Sequence, residues 1–296
     1  MIMMKKFLSI GLTLLFALLL LLYPAQASAA VGDGLLLCAN TVIPSLFPFF
    51  VVVSLLGQLG FANWLQRLFA PLMGPLFRMD GVGVMPLMAG LLGGYPSGAK
   101  AAAELYEQNL LSRQEAQKLL GFCNNCGPAF LLGYVGAGVL GSSALGARLM
   151  VIHWASALLT GMILCRVCHC RTPAALPCRQ LTVAPSLSRS VTTAVTTSVS
   201  SMLHICAFVV IFRTAAALLP ARLPAWALGG LEMVCGLASL TGGETDFLLA
   251  AGITSWGGLS VHCQTMAVVG DLSLKWHWLG KLMQTVIALL LAAALY

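Results

Sequence analysis

Long apolar runs dominate the chain, and glycine and proline interrupt them at corresponding places in its two halves. The interruptions fall within residues 91–100 and 122–128 of the first half, and within 231–236 and 254–264 of the second. At membrane depth, irregular backbone is tolerated only where it is buried in protein or lines a cavity. Interruptions paired in this way are the best sequence indication of a transporter's binding site. The pattern predicts an all-α, polytopic membrane protein with two re-entrant hairpins and two broken helices.

The same pattern divides the chain into four parts. These are an N-terminal transmembrane helix (1–30), a first repeat (31–165), a polar linker rich in cysteine and arginine (166–186) and a second repeat (187–296). Within the first repeat we expect a helix over 32–60, an interfacial amphipathic segment over 61–80, a hairpin over 82–109, a helix broken at 124–128 and a span over 146–165. Within the second we expect a long helix over 187–219, a hairpin over 224–240, a broken helix over 247–270 and a final span over 279–295.

Basic residues at the helix ends favour a cytoplasmic N-terminus, because such residues accumulate on the cytoplasmic side. Arg113 and the linker then lie in the cytoplasm, and so do Lys275 and Lys281 near the start of the final span. With this topology the two hairpins enter from opposite faces, which predicts an inverted-topology repeat. Two lysines before the apolar run 7–22 fit either a cleaved signal peptide or an uncleaved first helix. We favour the uncleaved helix because it suits this topology.

Composition narrows the class of protein. The chain is 59% hydrophobic and 8% charged over 296 residues, which is too apolar for a soluble domain and typical of a multi-pass membrane protein. The net charge of +7 is scattered and forms no basic stripe, so we expect no nucleic-acid partner. Without a catalytic triad or a phosphate-binding loop, the chain is predicted to be neither an enzyme nor ATP-driven, and to bind no cofactor.

The break at Asn124, Asn125 and Gly127 is the sharpest candidate for substrate binding. Asn125 can cap the half-helix that follows, and Pro128 suits its first turn. The half-helix would then offer amide hydrogens to an anionic or polar solute. The alternative is a proline kink whose asparagines are satisfied by neighbouring helices.

The tip of the first hairpin is the expected partner of this break. Ser97 can cap its return helix, Gly98 permits close approach of backbone, and Tyr95 can stack on a ring. Lys100 fits two interpretations, a lysine reaching for the membrane surface or a cation that binds a carboxylate.

In the second half, Glu232 and His262 are candidates for a coupling proton or sodium ion. Glu232 stands in an apolar run, where a carboxylate is functional by default unless the run lies at the membrane surface. His262 can titrate near neutral pH or be an inert packed histidine. The remaining substrate-binding candidates surround the second break: Trp256, Gly257, Gly258, Ser260 and Gln264.

The cysteines suggest two further roles on weaker grounds, redox chemistry and metal binding. Cys123 and Cys126 have redox spacing but lack a thioredoxin-like context. We predict no metal site, although one set in and before the linker has zinc-ligand residue types. Its members are Cys165, Cys168, Cys170 and Cys178, with His169.

Four motifs together resemble the YlbJ-type sporulation integral membrane proteins, within the nucleoside-recognition (Gate) superfamily that is related to concentrative nucleoside transporters. They lie at residues 41–50, 93–100, 122–128 and 257–264. The resemblance implies a role in endospore formation, in the cell membrane or a membrane around the forespore, and transport of dipicolinate.

We therefore expect a secondary transporter of a small anionic aromatic solute. Its partners are expected to be membrane lipid and the solute, and the chain could also form a homo-oligomer. Two alternatives remain. One is a nucleoside or nucleobase transporter, since amides and hydroxyls can also read a base or a ribose. The other is a membrane scaffold in spore assembly that transports nothing.

Overall fold

A computed structural model describes residues 2–79, 81–167, 187–219, 223–243 and 245–295. Every regular element in these ranges is helical, which confirms the all-α class. Three of the helices are long and apolar enough to cross a membrane, and the number rises to five if each of two bent pairs is one span. The three are Ser143–Val167, Leu187–Ala217 and Lys275–Leu295. The chain is thus a multi-pass integral membrane protein.

Two π-helical segments, Cys38–Val42 and Ala129–Val139, interrupt the α-helices of the first half. The α-helices there are α1 (Ile2–Leu22), α2 (Pro24–Leu37), α3 (Ile43–Gln58), α4 (Phe61–Phe77), α5 (Val84–Gly93), α6 (Ser97–Glu107), α7 (Arg113–Leu119) and α8 (Ser143–Val167). Those of the second half are α9 (Leu187–Ala217), α10 (Ala225–Leu231), α11 (Met233–Ala238), α12 (Asp246–Trp256), α13 (Gly258–Val268) and α14 (Lys275–Leu295).

The second predicted helix begins earlier than expected. α2 starts at Pro24 instead of near residue 32, and its axis is bent by 102° from that of α1. Pro24 stands in the first turn of α2, where its missing amide hydrogen costs no hydrogen bond. Gly34 allows α2 to pack closely on α9, because a Cβ atom there would lie 3.2 Å from the Val210 side chain. The residues after Pro24 are small rather than strongly apolar, so the apolar pattern alone does not indicate this start.

Both predicted hairpins are present. α5 and α6 pack against each other across a link at residues 94–96. α10 and α11 also pack together, and Glu232 is the single residue between them. The predicted capping box is confirmed, because Ser112 Oγ accepts from the Glu115 amide at 3.3 Å and the Glu115 carboxylate accepts from the Ser112 amide at 3.0 Å. The inverted relation of the halves stays a prediction.

Two apolar cores hold these elements around the breaks. The first packs α4 to α7, and includes Met73, Phe77, Leu87, Leu119 and Phe122. The second packs the π-helical segment 129–139 with the second hairpin and α12, and includes Phe130, Leu131, Leu237, Phe247 and Val261. α14 packs against α8 and α12, while α9 packs along α2 and α3. Both breaks therefore lie inside the bundle.

Candidate functional site

The first hairpin is seated on the first break by two glycines. Gly90 of α5 and Gly98 of α6 both face the Cys123 carbonyl, and a Cβ atom at either position would overlap that carbonyl group. At the hairpin tip, Gly94 has φ +79°, a conformation that glycine adopts without steric cost. A Cβ atom at Gly94 would lie 3.1 Å from the Gly127 nitrogen. The tip and the break therefore meet backbone to backbone.

A buried lysine ties this junction to the last helix. Lys281 of α14 is 0% exposed, and its Nζ donates to Tyr95 Oη at 3.0 Å and to Gln284 Oε1 at 2.8 Å. Tyr95 Oη in turn donates to the Thr254 carbonyl at 3.2 Å. The ammonium thus connects the first hairpin with α14, and through Tyr95 with the helix before the second break.

The amide groups of Gln284 and Asn125 extend this network to the first break. Gln284 Nε2 donates to Asn125 Oδ1 at 2.9 Å, and Asn125 Nδ2 donates to the Phe122 carbonyl at 2.7 Å. Both side chains are fully buried. Because a buried amide that loses its partner is costly, these bonds hold the break in one conformation.

A histidine joins the two breaks by a second route. His153 of α8 accepts the Cys126 amide hydrogen through Nε2 at 3.1 Å, and its Nδ1 lies 3.3 Å from Ser255 Oγ. A neutral ring that accepts at Nε2 carries its proton on Nδ1, so it donates to Ser255. One of the amide hydrogens expected to be free for a solute is therefore occupied by protein.

Glu232 occupies the tip of the second hairpin. It is 2% exposed, and its carboxylate accepts from the Cys235 amide at 2.6 Å and from Ser260 Oγ at 3.3 Å. The second hairpin also sits on its break through a glycine, since a Cβ atom on Gly258 would lie 3.0 Å from the Gly229 carbonyl oxygen. Glu232 is therefore a carboxylate buried within the helical bundle.

A small space, which we call the central cavity, lies where the hairpins and breaks meet. Its volume is about 50 Å³, whereas sites for organic ligands usually measure roughly 300–1,000 Å³. Its walls include Tyr95, Gly127, Glu232 and Gln264, all predicted from the sequence. The structure therefore brings residues of both halves together around a space that is too small for an organic ligand.

Other predicted residues lie outside the central cavity. Trp256 Nε1 donates to the Gly230 carbonyl at 3.2 Å, and its ring packs on His262. His262 Nδ1 lies 2.9 Å from His277 Nε2, while its own Nε2 is buried without a partner in the described chain. Lys100 is half exposed and pairs with Glu104 at 3.8 Å, away from the hairpin tip's contacts.

Asn124 is buried close to the break but does not line the central cavity. Its Nδ2 donates to Thr265 Oγ1 at 2.7 Å, which links the first break to α13. Its Oδ1 has no hydrogen-bond partner among the described residues. Gly257 lies beside the first hairpin, since a Cβ atom there would be 3.3 Å from Tyr95 Oη.

Two predicted helix caps are wrong. Asn125 does not cap the half-helix after the break, because its amide is held by Gln284 and the Phe122 carbonyl. Ser97 does not cap α6 either, since the residue at the cap is Pro96 and no side chain bonds there. In both places distant partners or the tight turn replace the local capping geometry.

Lys281 was interpreted only as a basic residue at the cytoplasmic end of the final span. α14 begins at Lys275, four residues before the predicted start at 279, so Lys281 lies in its second turn and is fully buried. A lysine or histidine within a spanning segment is functional by default. That rule applied to Lys281 and to His153, which lie inside the predicted spans 279–295 and 146–165, but neither was predicted for the site.

Of the suggested metal ligands, Cys165 alone lies in the described part of the chain. Cys168, His169, Cys170 and Cys178 lie outside the described residues, with most of the linker, while Cys165 is a buried free thiol in α8. Cys123 and Cys126 are also buried free thiols. The described residues contain no group of three or more side chains suited to a metal ion.

Fold and site together define a multi-pass membrane protein with hairpins seated on broken helices. The family model described as nucleoside recognition (Gate) matches residues 39–219, more than half of the chain. The chain therefore belongs to the nucleoside recognition (Gate) family.

A curated relative is similar over most of the chain. The sporulation integral membrane protein YlbJ of Bacillus subtilis (strain 168) is 28% identical over 313 residues, which cover 90% of this chain and 76% of the relative. No solved structure matches the chain.

Proposed function

We propose that this protein is a secondary transporter of a small anionic aromatic solute, dipicolinate, in a membrane of the sporulating cell. The observation that carries the proposal is the buried ammonium of Lys281 at the junction of hairpin and break. The sporulation protein to which the chain is similar supports the cellular setting. The chemistry of the junction supports an anionic aromatic solute.

The Lys281 amino group has no counterion in the described chain. Its hydrogen-bond partners are the neutral side chains of Tyr95 and Gln284, and no described carboxylate oxygen lies within 4 Å of its Nζ. Burial of an unpaired charge is expensive, and an opposite charge in contact offsets that cost. A carboxylate of the solute would supply this charge, and the Tyr95 ring would contact an aromatic face.

Transport requires the site to open. The central cavity of about 50 Å³ excludes any aromatic dicarboxylate, so the hairpins must move away from the breaks to admit one. Glycines form both contacts between hairpin and break, which allows the surfaces to separate without disturbing interlocked side chains. Alternating movement of the two hairpins would expose the site to each side of the membrane in turn.

The decisive experiment is uptake of radiolabelled dipicolinate by liposomes that contain the purified protein. Asn125→Ala leaves Gln284 Nε2 and the Phe122 carbonyl without their partner. We expect initial uptake to fall by about 10- to 100-fold, as for loss of a buried hydrogen-bonding group. Gln108→Ala, which removes an exposed amide, should transport normally. Normal uptake by Asn125→Ala would contradict the site, and no uptake by the wild type would contradict the proposal.

We propose Glu232 rather than His262 as the residue that binds a coupling proton or sodium ion. Glu232 lines the central cavity, whereas His262 lies behind Trp256 against His277. Glu232→Gln keeps an oxygen that can accept from Cys235 but removes the negative charge. Its uptake should lose all stimulation by the coupling gradient, while solute exchange without a gradient continues.

Separate proton and sodium gradients across the liposome membrane identify the ion. The matched control is Glu107→Gln, which neutralises an exposed carboxylate at the end of α6 and should retain full stimulation. Full gradient stimulation in Glu232→Gln would remove Glu232 from the coupling mechanism.

The description of the family as nucleoside recognition favours one second candidate function. The carboxamide of Gln264 faces the central cavity and could donate to and accept from a base edge. Inhibition of uptake by nucleosides but not by aromatic dicarboxylates would support a nucleoside transporter.

A further inference from the structure

A second, larger space lies beside the central cavity, and we call it the outer cavity. Its volume is about 480 Å³, within the range of organic ligand sites. One wall is a face of α9, and the opposite wall is formed by Pro96 and Lys100 of the first hairpin and by Gln264 of α13. Ser200 and His204 are exposed, so the outer cavity communicates with the surroundings of the protein.

The α9 wall is polar although α9 is a membrane-spanning candidate. Thr197, Ser200, Ser201 and His204 line the outer cavity, and none of their side chains makes a hydrogen bond within the described chain. Thr196 on the same wall donates to the Thr192 carbonyl. Polar groups facing hydrocarbon without partners are costly, and such residues normally face a bundle interior or a water-filled space. The wall therefore indicates a hydrated cavity rather than a lipid-facing surface.

Gln264 is the point at which the outer and central cavities meet. It lines both of them, is only 6% exposed, and makes no hydrogen bond within the described residues. The buried side-chain atoms without a partner in the described chain do not include those of Gln264, so its carboxamide is in contact with the space of the cavities. Its free amide is therefore available to a molecule in either cavity.

We propose that the outer cavity is a second binding site for the transported anion, from which the solute passes Gln264 into the central cavity. This inference rests on the proposed function. The hydroxyls of α9 and the Gln264 amide donate hydrogen bonds to carboxylate oxygens, and Lys100 supplies positive charge. The structure is then a conformation loaded from one side, in which the outer cavity is large enough for the solute and the central cavity is too small for it.

Thiol labelling tests the outer cavity independently of transport. Ser200→Cys places a thiol on its α9 wall, and Leu203→Cys places one on an exposed apolar side of the same helix, where Leu203 is 65% exposed. Both variants are reconstituted in liposomes and treated from each side with a charged, membrane-impermeant thiol reagent. Labelling is measured above that of the wild type, which has cysteines of its own. Ser201→Cys replaces Ser200→Cys if the latter does not fold.

We expect Ser200→Cys to be labelled from one side only, Leu203→Cys to remain unlabelled, and dipicolinate to slow the labelling of Ser200→Cys. No labelling of Ser200→Cys from either side, or equal labelling of both variants, would contradict the description of the outer cavity as a hydrated space. Labelling that dipicolinate does not slow, with normal uptake by the wild type, would overturn the second site and leave the proposed function intact. If dipicolinate neither slowed the labelling of Ser200→Cys nor was taken up by the wild type, the second site and the proposed function would both be overturned.

Discussion

Lys281→Met should abolish dipicolinate uptake, reducing it by more than about 100-fold, as expected when one partner of a buried charge interaction is removed. The variant removes the ammonium that bonds Tyr95 and Gln284, and with it the charge that would attract a carboxylate. Methionine has a similar volume, and loss of the donor to Gln284 Oε1 should lower stability by only about 1–3 kcal/mol. The measurement is uptake by liposomes together with the thermal unfolding midpoint in detergent.

Lys275→Met is the matched control, because Lys275 is an exposed lysine at the start of the same helix. It should transport like the wild type. If Lys281→Met unfolded at the same temperature as the wild type and transported normally, Lys281 would have no part in solute binding. Loss of uptake together with a collapse of the unfolding midpoint would instead indicate a structural role.

Gly90→Ala and Gly98→Ala should each prevent correct packing of the first hairpin. In both variants the new methyl group would overlap the Cys123 carbonyl, and a backbone atom cannot move aside as a flexible side chain can. We expect a loss of at least about 3 kcal/mol of stability, the upper end of the usual cost of overpacking a core. The measurement is the unfolding midpoint and the yield of monodisperse protein in detergent.

Gly57→Ala provides the comparison for these two variants. Gly57 lies inside α3 and a Cβ atom there meets nothing within 4 Å, so the substitution should be neutral or slightly stabilising. A midpoint for Gly98→Ala as high as that of Gly57→Ala would show that the hairpin does not rest on the break as described.

Features specified by nearby residues could be predicted from the sequence. Glycine and proline at 93–98 indicated the first hairpin, and the interruption predicted at 231–236 contains the link of the second, where Glu232 lies. The Ser112–Glu115 capping box also formed as expected. These features depend on residues a few positions apart, which is the range over which sequence patterns carry structural information.

Contacts between distant residues could not be predicted in the same way. Asn125 has the right residue type for a cap, but Gln284, far along the chain, takes its side-chain oxygen. Lys281 follows the ordinary pattern of a basic residue near a helix end, and only the start of α14 at Lys275 places it inside the bundle. The α9 hydroxyls form part of a candidate site only because Lys100 and Gln264 lie opposite them in the outer cavity.

The position of α14 has a consequence for biosynthesis. His277 Nδ1 donates to the Leu120 carbonyl, Gly280 packs on Gly121, and Gln284 donates to Asn125, so the first break depends on a helix translated long after it. Until α14 enters the membrane, the buried polar groups of that break lack their final partners. A ribosome that stalls before α14 would release a product with a defective first half, which quality-control proteases can distinguish from the finished protein.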